Sequence, residues 1–138
     1  MQPLAIRLRS ARKRYVAESE SQVHGALAAA EREADRVGKT ALVDFEAANG
    51  SRLSVLVGRP DTVLSWRYAG DQDPRFLSLG NAGADGTVAL SRDFTDHVDV
   101  PLWAFITRED GLAALNEFIQ SNDIPECVQW ADYPAPGG

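Results

Sequence analysis

The chain holds one cysteine, Cys127, among its 138 residues. A lone cysteine excludes an internal disulfide and a cysteine-based metal cluster. Histidine is almost as scarce: only His24 and His97 occur, far apart in the chain. Zinc sites draw on several His or Cys ligands, and nucleophilic catalysis sets Ser or Cys beside a base. Neither stock is present, so no metal, cofactor or catalytic residue is expected. The zinc-deaminase signature fails at Pro125-Glu126-Cys127-Val128, which has no second Cys. No apolar run nears the roughly 20 residues that span a bilayer. The opening MQPLAIRLRSARKR has no apolar h-region behind its charges, unlike a secretory signal. A cytoplasmic location without a membrane partner is the expectation.

What is present suits one soluble domain over residues 1–138. Hydrophobic residues make up 44% and charged residues 25%, enough apolar material for a core and too little charge for disorder. The net charge of −6 is unevenly placed. Arg7, Arg9, Arg12, Lys13 and Arg14 precede the first acidic residue, Glu18. From Asp61 onward 4 basic residues face 13 acidic ones. Such an acidic half repels nucleic acid and anionic membranes and speeds encounter with basic proteins. For net charge alone the plainer account, that acidic residues keep the protein soluble, is the preferred one.

Hydrophobic periodicity predicts the elements. Residues 4–16 alternate Ile6 and Leu8 against Arg7 and Arg9, a strand with one wet face, read as an edge guarded by charge. Residues 19–37 carry an apolar stripe of Val23, Leu27, Ala30, Ala34 and Val37, with Ser19 and Gln22 as a capping box and Gly38 as the stop. Gly25 in that helix is read as room for close packing on a sheet. Thr40–Ala47 and Arg52–Val57 flank Asn49-Gly50, a hairpin signal. Strands are expected at Asp61–Tyr68, Phe76–Leu79, Thr87–Leu90, Phe94–Val100 and Leu102–Ile106, with Gly80–Gly86 as a hairpin loop. A second helix starts after the N-cap Thr107, with Asp110 at N3 and a stripe of Leu112, Leu115, Phe118 and Ile119. Cys127–Ala131 is a last strand, and residues 131–138 a frayed tail. The predicted class is α+β: a mainly antiparallel, meandering sheet covered by two helices.

Few clusters carry chemistry. Gly80–Gly86 lacks the Lys-Ser or Lys-Thr and the following helix of a phosphate loop. Asp93, Asp96, His97 and Asp99 are the densest polar group; in a strand, Asp93, His97 and Asp99 would share a face. Trp66, Trp103 and Trp130 read as core anchors. Trp66 is the best exception, because Arg67, Tyr68, Asp71 and Asp73 adjoin it. Trp130 should share a face with Val128 and pack on Leu115 and Ile119, with Cys127 a small apolar residue by the sheet. Carboxylates beside an aromatic anchor suit a protein-binding surface, so the candidate partner-binding residues are Trp66, Tyr68, Asp71, Asp73, Asp93, Asp96 and Asp99. The alternatives are a small α+β enzyme and a nucleic-acid-binding module using the basic first strand.

Three stretches resemble a known family: Trp66-Arg67-Tyr68-Ala69-Gly70-Asp71, Phe76-Leu77-Ser78-Leu79-Gly80, and Val100-Pro101 through Pro125-Glu126-Cys127-Val128-Gln129-Trp130. Together they make the chain from about Thr62 to Trp130 similar to the first immunity-protein family of bacterial polymorphic toxin systems. The resemblance implies a non-enzymatic cytoplasmic protein. Its partner would be a cognate toxin domain, basic and nucleic-acid-acting (a deaminase or a nuclease), bound by occlusion of the toxin's active site. No direct contact with nucleic acid is implied.

Overall fold

The computed structural model describes residues 1–133 and is α+β. Its order is β1 (Leu4–Leu8), β2 (Lys13–Ala17), α1 (Glu20–Val37), β3 (Ala41–Glu46), β4 (Arg52–Val57), β5 (Asp61–Thr62) and β6 (Leu64–Arg67). Then come β7 (Phe76–Leu79), β8 (Thr87–Leu90), β9 (Val98–Pro101), a 3-10 turn (Leu102–Ala104), β10 (Ile106–Thr107), α2 (Arg108–Ser121) and β11 (Gln129–Asp132). Seven strands form one antiparallel sheet, ordered β11-β7-β6-β4-β3-β1-β2. Two small ribbons, β10-β5 and β8-β9, stand apart from it.

Local signals act as the sequence predicts at the helix ends and at the first long hairpin. Ser19 caps α1 by accepting from the Gln22 N–H, and Gly38 ends it at φ 76°. Thr107 caps α2 through the Asp110 N–H, and Asn122 closes it in the left-handed region at φ 57°. Gly50 joins β3 to β4 at φ 88°, and a Cβ there would also lie 2.8 Å from Ala69 Cβ. Gly25 has nothing within 4 Å of an added Cβ, so it serves no close packing.

Alternation along each strand divides the sheet into two faces. Leu4 and Ile6, Val43 and Phe45, Leu53, Val55 and Val57, and Leu64 and Trp66 point to the helices and form the main core with Val23, Leu27, Leu115, Phe118 and Ile119. On the other face Leu42, Leu56, Val63 and Leu77 lie under Leu90, Val88, Val100 and the 3-10 turn, in a second, smaller core. The protein therefore has three layers: helices, sheet, and the β8–β9 cover.

Several expectations change. Residues 4–16 are two strands turning at Arg9–Arg12, where the Arg12 N–H donates to Arg9 O at 3.3 Å and Arg12 takes a left-handed φ of 52°. The sheet edge is β2 rather than β1. Residues 94–97 are not strand; only Val98–Pro101 is, so Asp93, His97 and Asp99 share no strand face. Leu102–Ala104 turns as 3-10 helix, leaving Ile106–Thr107 as the strand. Gly80–Gly86 is no hairpin loop, since β7 pairs with β6 and β11 while β8 pairs with β9. It carries the chain from the sheet to the cover. Gly80 makes that step possible: its N–H donates to Trp103 O at 2.7 Å, and an added Cβ would sit 1.9 Å from Phe105 O. Cys127 is exposed; Pro125 fills the buried position before β11, which starts only at Gln129. Ala131 and Asp132 belong to β11, and the rest of the expected frayed tail, beyond residue 133, lies outside the described residues.

Candidate functional site

The sheet face turned away from the helices is not uniformly apolar. Register places Arg14, Arg7, Asp44, Ser54, Ser65 and Leu77 in one row across five neighbouring pairings. The adjoining row runs Val16, Ala5, Glu46, Arg52 and Arg67. Apolar residues dominate only where β8 and β9 cover the sheet. Elsewhere guanidinium groups gather around one buried carboxylate.

That carboxylate is Asp44, only 3% exposed. Arg9 donates to it through Nε at 2.9 Å and Nη2 at 3.1 Å, the Ser54 hydroxyl donates at 2.5 Å, and Arg7 lies at 3.6 Å. Burial pushes its pKa up. The Arg9 fork and Ser54 outweigh that, so the carboxyl sits below the usual aspartate range. Arg67 has the opposite problem: burial and the neighbouring Arg52 and Arg9 lower its pKa, and its Nε is buried without a hydrogen-bond partner among the described residues.

Two concavities open on this face. A groove of about 160 Å³ runs between the sheet and the β8–β9 cover, lined by Arg9, Arg67, Asp73, Asp99, Leu77 and Tyr133 among others. A wider cleft of about 500 Å³ lies between the β1–β2 turn and the segment after β8, lined by Arg7, Arg9, Arg12, Arg14, Arg92, Asp93 and Asp96. Arg9 and Arg92 border both. The cleft exists because β1 stops alongside Val43, and the chain after β8 takes its place beside β3. There the Leu42 N–H donates to Arg92 O at 2.8 Å, and Ala41 bridges to Asp93.

The expected partner-binding residues fall into three settings. Asp73 and Asp99 are exposed and share the groove. Asp93 and Asp96 border the cleft but are largely committed to the loop. Asp96 accepts from the Arg92 and Asp93 N–H groups and from Arg92 Nε at 2.7 Å. Burial raises its pKa, yet these bonds hold it well below the usual range. Asp93 accepts from Thr95. Asp71 and Tyr68 form the turn after β6. Asp71 is paired with Arg75 at 2.9 Å and depressed by that bond, and Tyr68 is 39% exposed with Arg75 over its ring.

Trp66 requires a correction. It is 0% exposed, edge-on to Phe118 of α2 at 5.5 Å and to Tyr68 at 5.6 Å. It sits between Leu64 and Tyr68 on the helix face and cannot meet a partner. Tyr68 is the aromatic side chain that surfaces there. Trp103 and Trp130 are the half-buried tryptophans; Trp130 packs on the main core and donates Nε1–H to Pro125 O at 2.8 Å. The Arg9–Asp44–Ser54 centre and the approach of Arg92 to β3 had no signal beyond alternation, because residues 9, 44, 54 and 92 meet only through sheet order.

Convergent charged side chains around open concavities form a surface suited to binding a charged partner. His24 is spent on Asn116 at 2.8 Å, tying α1 to α2, and His97 is exposed on the loop before β9. The Immunity protein Imm1 family profile matches residues 11–132, and the chain belongs to that family. The match extends well beyond the stretch whose motifs resembled the family, taking in β2 and α1. No curated protein matches the chain. Family membership makes this an immunity protein and implies a toxin as partner. Among the described residues no helix is long and apolar enough to cross a membrane.

Proposed function

We propose that this immunity protein acts in the bacterial cytoplasm against a polymorphic toxin that works on nucleic acid, a deaminase or a nuclease. It covers the toxin's active site and performs no chemistry itself. The observation that carries the reading is the family match over residues 11–132. Charge supports the finer part. A toxin that handles nucleic acid needs a basic substrate path, and from Asp61 onward this chain offers 13 acidic residues against 4 basic ones. Co-expression with the toxin domain encoded beside it should restore growth, and the two should co-purify. Persistent killing by a verified cognate toxin would end the proposal.

Within that reading the docking surface includes Asp73 and Asp99 at the groove and Tyr68 at the turn beside it. Asp71, Asp93 and Asp96 shape the loops that present this surface. Asp73 and Asp99 are the exposed carboxylates of the set, so they steer association. The double variant Asp73→Asn, Asp99→Asn should bind with a slower on-rate at low salt and a flatter salt dependence, measured by surface plasmon resonance. Tyr68→Ala should instead raise the dissociation rate. Unchanged rates in both variants would move the docking surface to the helices.

A further inference from the structure

The chain is acidic overall, yet the wider of the two concavities on this face is lined with arginine. Five guanidinium groups border the cleft between the β1–β2 turn and the Arg92–Asp96 segment: Arg7, Arg9, Arg12, Arg14 and Arg92. Two of them are committed by hydrogen bonds, and Arg7, half exposed, keeps only a longer ion pair with Asp44 at 3.6 Å. Arg9 is forked onto Asp44, and Arg92 is bound to Asp96 at 2.7 Å. Arg12 and Arg14 are exposed and pair with no carboxylate among the described residues.

The walls of the cleft are also held in costly backbone conformations. Arg12 stands at φ 52° and Phe94 at φ 73°. Among the described residues the only other non-glycine residue at positive φ is Asn122, a residue type suited to the left-handed cap it forms. An arginine at a turn tip and a phenylalanine in a loop have no such excuse. Strain of this kind persists where the surroundings overdetermine it, and it clusters at ligand clamps. Here Arg12 lines the cleft, and Phe94 packs in against the main core while Lys39 Nζ donates to its carbonyl at 3.1 Å.

We propose that this cleft grips an acidic turn of the toxin, with two or more Asp or Glu side chains taken by Arg12, Arg14 and Arg7. The assignment rests on the immunity reading above and adds a second, oppositely charged contact to it. Guanidinium forks match carboxylates in a bidentate way. The neighbouring groove presents Asp73 and Asp99, so the docking face is bipolar, and a bipolar face sets the orientation of its partner as well as its approach. A nucleic-acid strand fits less well. Single strands need stacking platforms along a basic track. The nearby Tyr15 pairs with Ile6 and so stands on the opposite, helix-facing side of the sheet. Asp93, Asp96, Asp73 and Asp99 would repel a continuous phosphate backbone.

The test is the double charge reversal Arg12→Glu, Arg14→Glu, measured against the cognate toxin domain by surface plasmon resonance at two salt concentrations. Binding should weaken by at least about tenfold. Arg36→Glu, on the far helix, serves as the control and should bind as the wild type does. Arg12→Gly provides a second variant whose fold is not at risk: it should melt no lower than wild type, since it relieves the left-handed strain, and still bind more weakly. A wild type that neutralises the toxin alongside an unweakened double variant overturns the cleft while leaving the immunity reading intact. A wild type that fails to neutralise its verified toxin overturns the immunity reading, and the cleft assignment falls with it. Tight binding of a single-stranded DNA oligonucleotide by the wild type, abolished in the double variant, would overturn the assignment to an acidic peptide.

Discussion

Trp66→Ala should lower the folding free energy by about 3–5 kcal/mol, the cost of truncating a large aromatic in a core that cannot collapse around the gap. Trp66 is fully buried where β6 meets α2. Its ring is edge-on to both Phe118 and Tyr68, so its loss also frees a buried and a surface aromatic from their geometry. Thermal or urea unfolding reads the effect. Trp66→Phe separates packing from polarity. The indole Nε1–H is buried with no hydrogen-bond partner among the described residues. Phenylalanine removes that donor while keeping most of the ring, so it should cost under about 1.5 kcal/mol. Toxin affinity of the folded Trp66→Phe protein should equal that of wild type, because the ring never reaches the surface. A Trp66→Ala protein that unfolds like wild type would show that β6 and α2 are not packed in this way.

Asp44→Asn is the second large effect, at about 3 kcal/mol or more, as when one partner of a buried ion pair is removed. The asparagine keeps the shape but leaves Arg9, only 14% exposed at its side chain, with Arg7 and no countercharge. Arg52 and Arg67 then add repulsion across the same face, which the carboxylate now offsets. The same group makes stability depend on pH. Its folded pKa lies below its unfolded one, which is ~3.9 for aspartate. The folded state therefore binds the proton less tightly than the unfolded state does. The stabilisation is complete above the unfolded value and drains away as pH falls through the folded value. Wild type should lose stability below about pH 4, and Asp44→Asn should show a shallower acid limb. Parallel acid limbs in urea titrations would mean that other carboxylates govern the acid transition.

The periodic elements were legible for a plain reason. A helix needs a stripe at 3–4 spacing and a cap, and both lie within a few residues of one another. Ser19, Gly38 and Thr107 each do locally what their position in the sequence announces. The region from Gly80 to Ile106 departs from its sequence pattern because its strands are short and its polarity alternates with loops. Phe94 reads as a strand residue in the sequence, since aromatics favour strands. Its place at positive φ is imposed by the Asp96 carboxylate and by Lys39, both of which bind the loop from outside its own backbone ladder. The candidate site was half legible. Asp73 and Asp99 carry exposed charge, which composition can flag. Trp66 and Tyr68 differ by two residues and look alike in sequence. Both point to the helix face, and only the position of α2 decides that Trp66 lies beneath it while Tyr68 emerges at the rim.

Local patterns in the chain were enough to set the class of this protein. Its helices and their caps, the Asn49-Gly50 hairpin, the α+β architecture and the immunity-protein family all follow from residues near one another in the chain or from motifs within it. The tertiary structure alone decided where the charges meet. Arg7 and Arg9 read as a solvated edge, but β2 folds back to take the edge, and β1 then pairs with β3 and brings both arginines over Asp44. The chain after β8 returns across more than forty residues to lie beside the end of β3, and this closes the arginine cleft. Such contacts are chosen by burial summed over whole layers. A charged side chain carries no mark of which distant carboxylate, or which open face, the packing of those layers will give it.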